Sequence, residues 1–278
     1  MEWLASHFDL IRPGFWLCAA VGLAVLATNL AWLVVHVCEQ LRLERALRLL
    51  RADAVQAVAW LIASAWLLAP PFYAWRAGAI SPYHLGVAEL DWIASLSAGG
   101  WPALLIVAVA MFGWLIYRHT LPADSTGAGD ESRLILALRA AIEAGLTQWH
   151  LAFCRAALIG WLSASPVMPA LPAAWAEAIL RGVLAQPFYW GSWLGLSVAL
   201  FQAGLNPFVR DALSRPSPRQ HRQGRPEALL RDLALAFATT GLFVLARNFW
   251  LCLICHVVIS TTIAGWLPVR QPLRVSEH

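Results

Sequence analysis

Seven runs of apolar residues, 14–37, 54–75, 101–117, 140–163, 188–206, 228–246 and 249–266, divide the chain. Each is about as long as the roughly 20 residues a helix needs to cross a bilayer. The pattern predicts an all-α, polytopic transmembrane helix bundle: one integral membrane domain over 1–278, with about seven spans joined by short polar segments. From Glu39 to Asp53, Leu41, Leu43, Leu47, Leu49 and Leu50 alternate with Arg42, Arg45, Arg48 and Arg51. That spacing predicts an amphipathic helix lying in the membrane interface.

Two stretches, Pro122–Glu131 and Arg215–Pro226, are rich in Pro, Gly, Ser and charge and read as loops. Ala164–Phe188 is apolar, yet Pro166, Pro169, Pro172 and Pro187 forbid one straight helix. A short helix from about Ala173 to Ala185 fits between those prolines.

Composition agrees with the pattern. With 60% hydrophobic residues, 13% charged and a mean hydropathy of +0.62, the chain has too little polar surface to cover a soluble globule of its size. All 20 basic residues are arginine. If the spans alternate, Arg42, Arg45, Arg48, Arg51, Arg118, Arg133, Arg139, Arg210, Arg215, Arg219, Arg222, Arg225, Arg231, Arg270 and Arg274 share one side. Arg12, Arg76, Arg181 and Arg247 fall on the other, and Arg155 lies within a span. The positive-inside rule then puts the N-terminus outside and the C-terminus in the cytoplasm.

The net charge of +4 is thus a topology signal, and no nucleic-acid partner is implied. Membrane lipids are the expected surroundings, and the Arg-rich 215–226 loop anchors the cytoplasmic face. Met1–Pro13 has Glu2 and Asp9 against one Arg12, which is no basic leader, so the first run is kept as a span. Trp101, Trp161, Trp190, Trp193, Trp250 and Trp266 lie near span ends, where amphipathic rings favour the interface. Cys18, Cys38, Cys154, Cys252 and Cys255 all fall in or beside apolar runs and are expected to be free, buried thiols.

Candidate chemistry centres on His256, an ionisable residue in the last apolar run and so a functional-site candidate. Cys252-Leu-Ile-Cys255-His256 has the spelling of a c-type haem attachment site. Covalent attachment needs thiols accessible outside the membrane, however, and this segment is apolar throughout, so no cofactor is expected. No metal is expected either, since His256 has no His or carboxylate at ligand spacing on its own helix. At about 1.5 Å per residue, Arg155 and His256 fall in one layer of the outer half of the membrane, with His150 one to two turns deeper. Glu143 is expected to pair with Arg139, four residues away.

Trp175-Ala-Glu177-Ala-Ile-Leu-Arg181-Gly182 resembles the Glu-Glu-x-x-x-Arg-Gly motif of the CPBP family of intramembrane glutamic proteases, which includes prenyl-protein endopeptidases and myxosortases. Ala176 stands in place of the first Glu. Phe201-Gln-Ala-Gly-Leu205 resembles the second motif, Phe-x-x-x-His, with Leu205 for the His. His256-Val-Val-Ile-Ser260, preceded by Asn248-Phe-Trp250, resembles the third, with Ser260 in the final position. A second alignment of the first motif uses His150-Leu-Ala-Phe-Cys-Arg155. The family-like core is then about 140–266.

The resemblance implies a protease that activates water within the membrane to cleave a membrane-anchored or exported protein substrate. In it Glu177 would be the base or its neighbour, Arg181 would orient it, and His256 would serve the oxyanion or share the water. His150 and Arg155 are the alternative set, and His150 is a candidate for the imidazole that Leu205 does not supply. The competing expectation is a non-catalytic scaffold or transport-related protein that keeps the fold.

Overall fold

The computed structural model describes residues 13–40, 67–88, 90–120, 133–164, 182–183, 185–204 and 225–266. Every regular element among them is an α-helix. In chain order these are α1 (Pro13–Gln40), α2 (67–76), α3 (Pro82–Leu85), α4 (Trp92–Thr120), α5 (Arg133–Ala164), α6 (Pro187–Gly204), α7 (Arg225–Ala246) and α8 (Phe249–Trp266). The expected interfacial helix after Gln40, most of the Ala164–Phe188 segment and the two polar loops lie outside the described residues.

α5 is the centre of the bundle. It packs most extensively against α6 and α8 and also touches α1 and α3, while α4 packs on α7 and α8. Close approach of α5 and α6 depends on Gly191-Ser-Trp-Leu-Gly195, a small-xxx-small pattern that lets two helix backbones meet. A Cβ added at Gly195 would sit 2.6 Å from the Arg155 backbone, and one at Gly191 would sit 2.7 Å from the Ile159 backbone. No side chain other than hydrogen fits at either place.

The expected span 101–117 is part of a longer helix. α4 begins at Trp92 because the Asp91 carboxylate accepts a hydrogen bond from the Ala94 N–H at 2.9 Å, capping the first turn. Gly99-Gly100-Trp101-Pro102 looks like a break, yet the helix runs through it and holds Pro102 inside. Gly99 earns its place by contact, since a Cβ there would lie 2.6 Å from that of Ala246 on α7.

α4 is also long and apolar enough to cross a membrane: Trp92–Tyr117 has a mean hydropathy of 1.9, and only 11% of its most apolar window is buried in the protein. Its outward face carries Trp101 (80% exposed), Leu105 and Phe112 (66%). Shorter apolar helical stretches run through Pro13–Leu26 and Phe249–Ala264.

The polar residues take the opposite position. Gln148, His150, Arg155, Ser192, Gln202, Thr239, Thr240, Asn248 and His256 are buried between helices. The described structure is therefore apolar outside and polar at points inside.

One rim of the bundle is closed by α3, which the apolar pattern does not reveal. Ser81 caps it by accepting from the Tyr83 N–H, and Gly86 ends it at φ 71°. A side chain at Gly86 would strike Phe243 at 2.7 Å and the Arg247 carbonyl at 2.9 Å. The Gly86 carbonyl instead accepts from the Phe249 N–H at 2.9 Å, tying the rim to the start of α8. Arg247 makes the turn from α7 to α8 with φ 49°, its guanidinium 4.5 Å from the Phe188 ring centre.

Candidate functional site

Two hydrogen-bonded pairs lie on opposite sides of α5. Gln148 and His150, two residues apart, point about 200° from one another around the helix, so they address different neighbours. Gln148 faces α7 and α8. Its amide nitrogen lies 2.8 Å from the Thr239 hydroxyl oxygen and 2.7 Å from Nδ1 of His256.

The Thr239 proton is directed to the Leu235 carbonyl at 2.7 Å, so the hydroxyl oxygen accepts from Gln148. The same amide nitrogen has its second proton for His256, whose Nδ1 is then the acceptor. His256 is thereby held as a neutral imidazole with its proton on Nε2, a hydrogen-bond donor.

On the other side, His150 Nε2 meets Gln202 Oε1 of α6 at 2.5 Å, with the Cys154 sulfur 3.7 Å from the same nitrogen. No hydrogen bond among the described residues joins His150 to His256. The two imidazoles belong to separate clusters, with the body of α5 between them.

Arg155 is fully buried, and among the described residues none of its three guanidinium nitrogens has a hydrogen-bond partner. Its guanidinium carbon stands 4.3 Å from the ring centre of Phe243 on α7. Phe243 belongs to the same buried cluster as Cys252 of α8. Arg155 and His256 therefore do not share the one layer that depth along the spans predicts. His256 bonds at the level of Gln148, seven residues and roughly 10 Å of helix before Arg155. The offset arises because α5 runs on to Ala164, past the level at which α8 begins.

Asn248 acts as the cap of α8, its side-chain oxygen accepting from the Leu251 N–H at 3.1 Å. Such a cap contributes about 1 kcal/mol. The remaining expected residues divide plainly. Glu177, Arg181 and Leu205 lie outside the described residues. Phe201 points outward, 59% exposed. Glu143 pairs with Arg139 at 2.9 Å on an exposed face of α5.

Cys154, Cys252 and Cys255 are free and buried, but Cys18 is exposed, because it lies on the outward side of α1. The Cys252 thiol donates to the Thr239 carbonyl at 3.3 Å, so it serves helix packing. No group of three or more His, Cys, Asp or Glu among the described residues is arranged to hold a metal ion.

Gln148, Gln202 and Thr239 are the site residues that the apolar pattern hides. The available signal was their position: an uncharged amide in an apolar run must find a partner across helices. No family model, curated protein or solved structure matches the chain.

Proposed function

We propose that the chain is a multi-pass membrane protein of about seven spans, N-terminus outside and C-terminus cytoplasmic, with a divergent CPBP-like intramembrane protease site. Its substrates are membrane-anchored or exported proteins. The observation that carries the proposal is the Gln148–His256–Thr239 cluster, which orients a neutral imidazole donor in a buried layer between α5, α7 and α8. A donor held in that way suits stabilisation of the oxyanion formed when water attacks a peptide carbonyl.

Glu177 supplies the carboxylate base in this reading and Arg181 orients it, while His150 and Arg155 are the alternative set on α5. The exposed apolar face of α4 supports lipid surroundings, since soluble monomers rarely present a continuous apolar surface of that kind.

The test is cleavage of a membrane-anchored reporter by the purified protein in lipid vesicles. His256→Ala and Glu177→Gln are each expected to lower the rate at least about 100-fold. Full activity in His150→Ala would remove that residue from the site, and full activity in His256→Ala would overturn the protease assignment. A second reading, a non-catalytic scaffold or transport-related protein, is favoured by a different observation. Both carboxylates that form ion pairs among the described residues, Glu143 and Asp232, bond exposed or part-exposed arginines, and neither hydrogen-bonds His256. That reading predicts no cleavage by a well-folded wild-type protein.

A further inference from the structure

Arg155 is the largest fully buried side chain in the described structure, and its environment does not answer its charge. Its contact is the face of Phe243, at 4.3 Å. An aromatic face attracts a guanidinium but accepts none of its five N–H groups in the way an oxygen does. A buried cation left without an oxygen partner costs several kcal/mol, far more than a ring contact returns.

Two further unsatisfied groups can donate. The Thr240 hydroxyl on α7 and the Asn248 amide nitrogen on α8 are buried and also lack partners among the described residues. Thr240 lies three residues before Phe243 and therefore on its face of α7. Asn248 lies four residues before Cys252, in the cluster that holds Phe243. Unpartnered buried hydrogen-bond donors, one of them cationic, thus occur on α5, on α7 and at the cap of α8.

We propose that Arg155 anchors a binding site for a monoanionic oxyanion, a carboxylate or a phosphodiester, carried by a membrane-dissolved molecule. One negative charge balances the one guanidinium, and the planar fork of Arg matches two oxygens of either group. Phe243 holds the guanidinium from behind, and Gly86, which abuts the Phe243 ring, links that ring to the α3 rim. The inference rests on the membrane half of the proposed function and is independent of proteolysis.

The test uses the purified full chain in dodecyl maltoside micelles, with thermal unfolding followed on adding oleate or dioleoyl phosphatidylglycerol. Oleyl alcohol and dioleoyl phosphatidylcholine serve as controls with the same chains and no net negative charge. A saturating anionic probe is expected to raise Tm by about 5 °C over its control. Arg155→Met should lose that rise and, without any probe, be no less stable than the wild type, since the unpaired cation is gone.

A rise with oleate alone identifies a carboxylate, one with phosphatidylglycerol alone a phosphodiester, and one with both the shared oxyanion chemistry. Equal rises with the neutral controls, no rise at all, or a rise that survives Arg155→Met would overturn the site. If the Met variant does not fold, Arg155→Lys decides instead. It keeps the charge without the fork, so affinity about tenfold weaker supports the site and unchanged affinity contradicts it.

Discussion

α4 and α5 are helices of nearly equal length, 29 and 32 residues, built on opposite rules. α4 turns Trp101, Leu105 and Phe112 outward and buries little, while α5 is enclosed over 148–160 and buries Gln148, His150 and Arg155 there. A soluble protein selects polar groups for the outside and penalises them inside. Here the penalty inside is met by cross-helix partners at Gln148 and His150, and outside there is none to meet if lipid is the solvent. α4 is thus shaped by its surroundings and α5 by what the bundle encloses.

The largest expected effect breaks the comparison at its tightest contact. Gly195→Leu forces a side chain into the Arg155 backbone and should cost more than about 3 kcal/mol, seen as failure to fold or a steep fall in Tm. Gly113→Ala on α4 meets nothing within 4 Å and should instead stabilise by about 0.5–1 kcal/mol, through helix propensity alone. Equal effects at the two glycines would erase the distinction between the helices.

Next in size is the buried amide. Gln148→Leu keeps the volume but leaves His256 Nδ1 without its donor, at a cost of about 2 kcal/mol. The same change should alter the imidazole resonances of His256 in a labelled sample, which a purely steric defect on another face of α5 would not do. An unchanged His256 spectrum would remove the proposed pairing.

The smallest effect concerns the rim. His84 packs edge-on to Phe188 beside Gly160, and burial holds its pKa below the usual 6.5. The unfolded chain therefore binds this proton more readily than the folded one, so stability is retained above pH 6.5 and declines as pH falls below it. His84→Gln should flatten that decline in Tm between pH 7 and 5. An identical pH profile in the variant would assign the slope to other groups.

Much of the helical fold is legible in the sequence, and the misses have physical causes. The run 249–266 coincides with α8 because Asn248, just before it, is a cap as well as the end of the apolar pattern. α4 starts nine residues early because an Asp91 cap outweighs the Gly-Gly-Trp-Pro sequence inside the helix. α3 is four residues long and carries no periodicity at all.

At the site, His150, Arg155 and His256 stand out because an ionisable group in an apolar run has few innocent explanations. Their partners do not, since Gln and Thr look unremarkable until a neighbouring helix is known. The two-residue spacing puts Gln148 and His150 on opposite faces of α5, but the linear pattern does not reveal which helices those faces meet. The register of α8 against α5 is likewise set by tertiary contacts such as Gln148–His256, which explains why Arg155 and His256 were expected in one layer and are found in two.

The inverted polarity of the bundle makes sense when α4 meets lipid with its apolar face. A nitroxide label at Val109, 62% exposed in the middle of that helix, tests it in vesicles by its collision rates with oxygen and with a water-soluble nickel chelate. High oxygen and low nickel accessibility is the predicted result. Nickel accessibility like that of a label on a water-facing helix would contradict it.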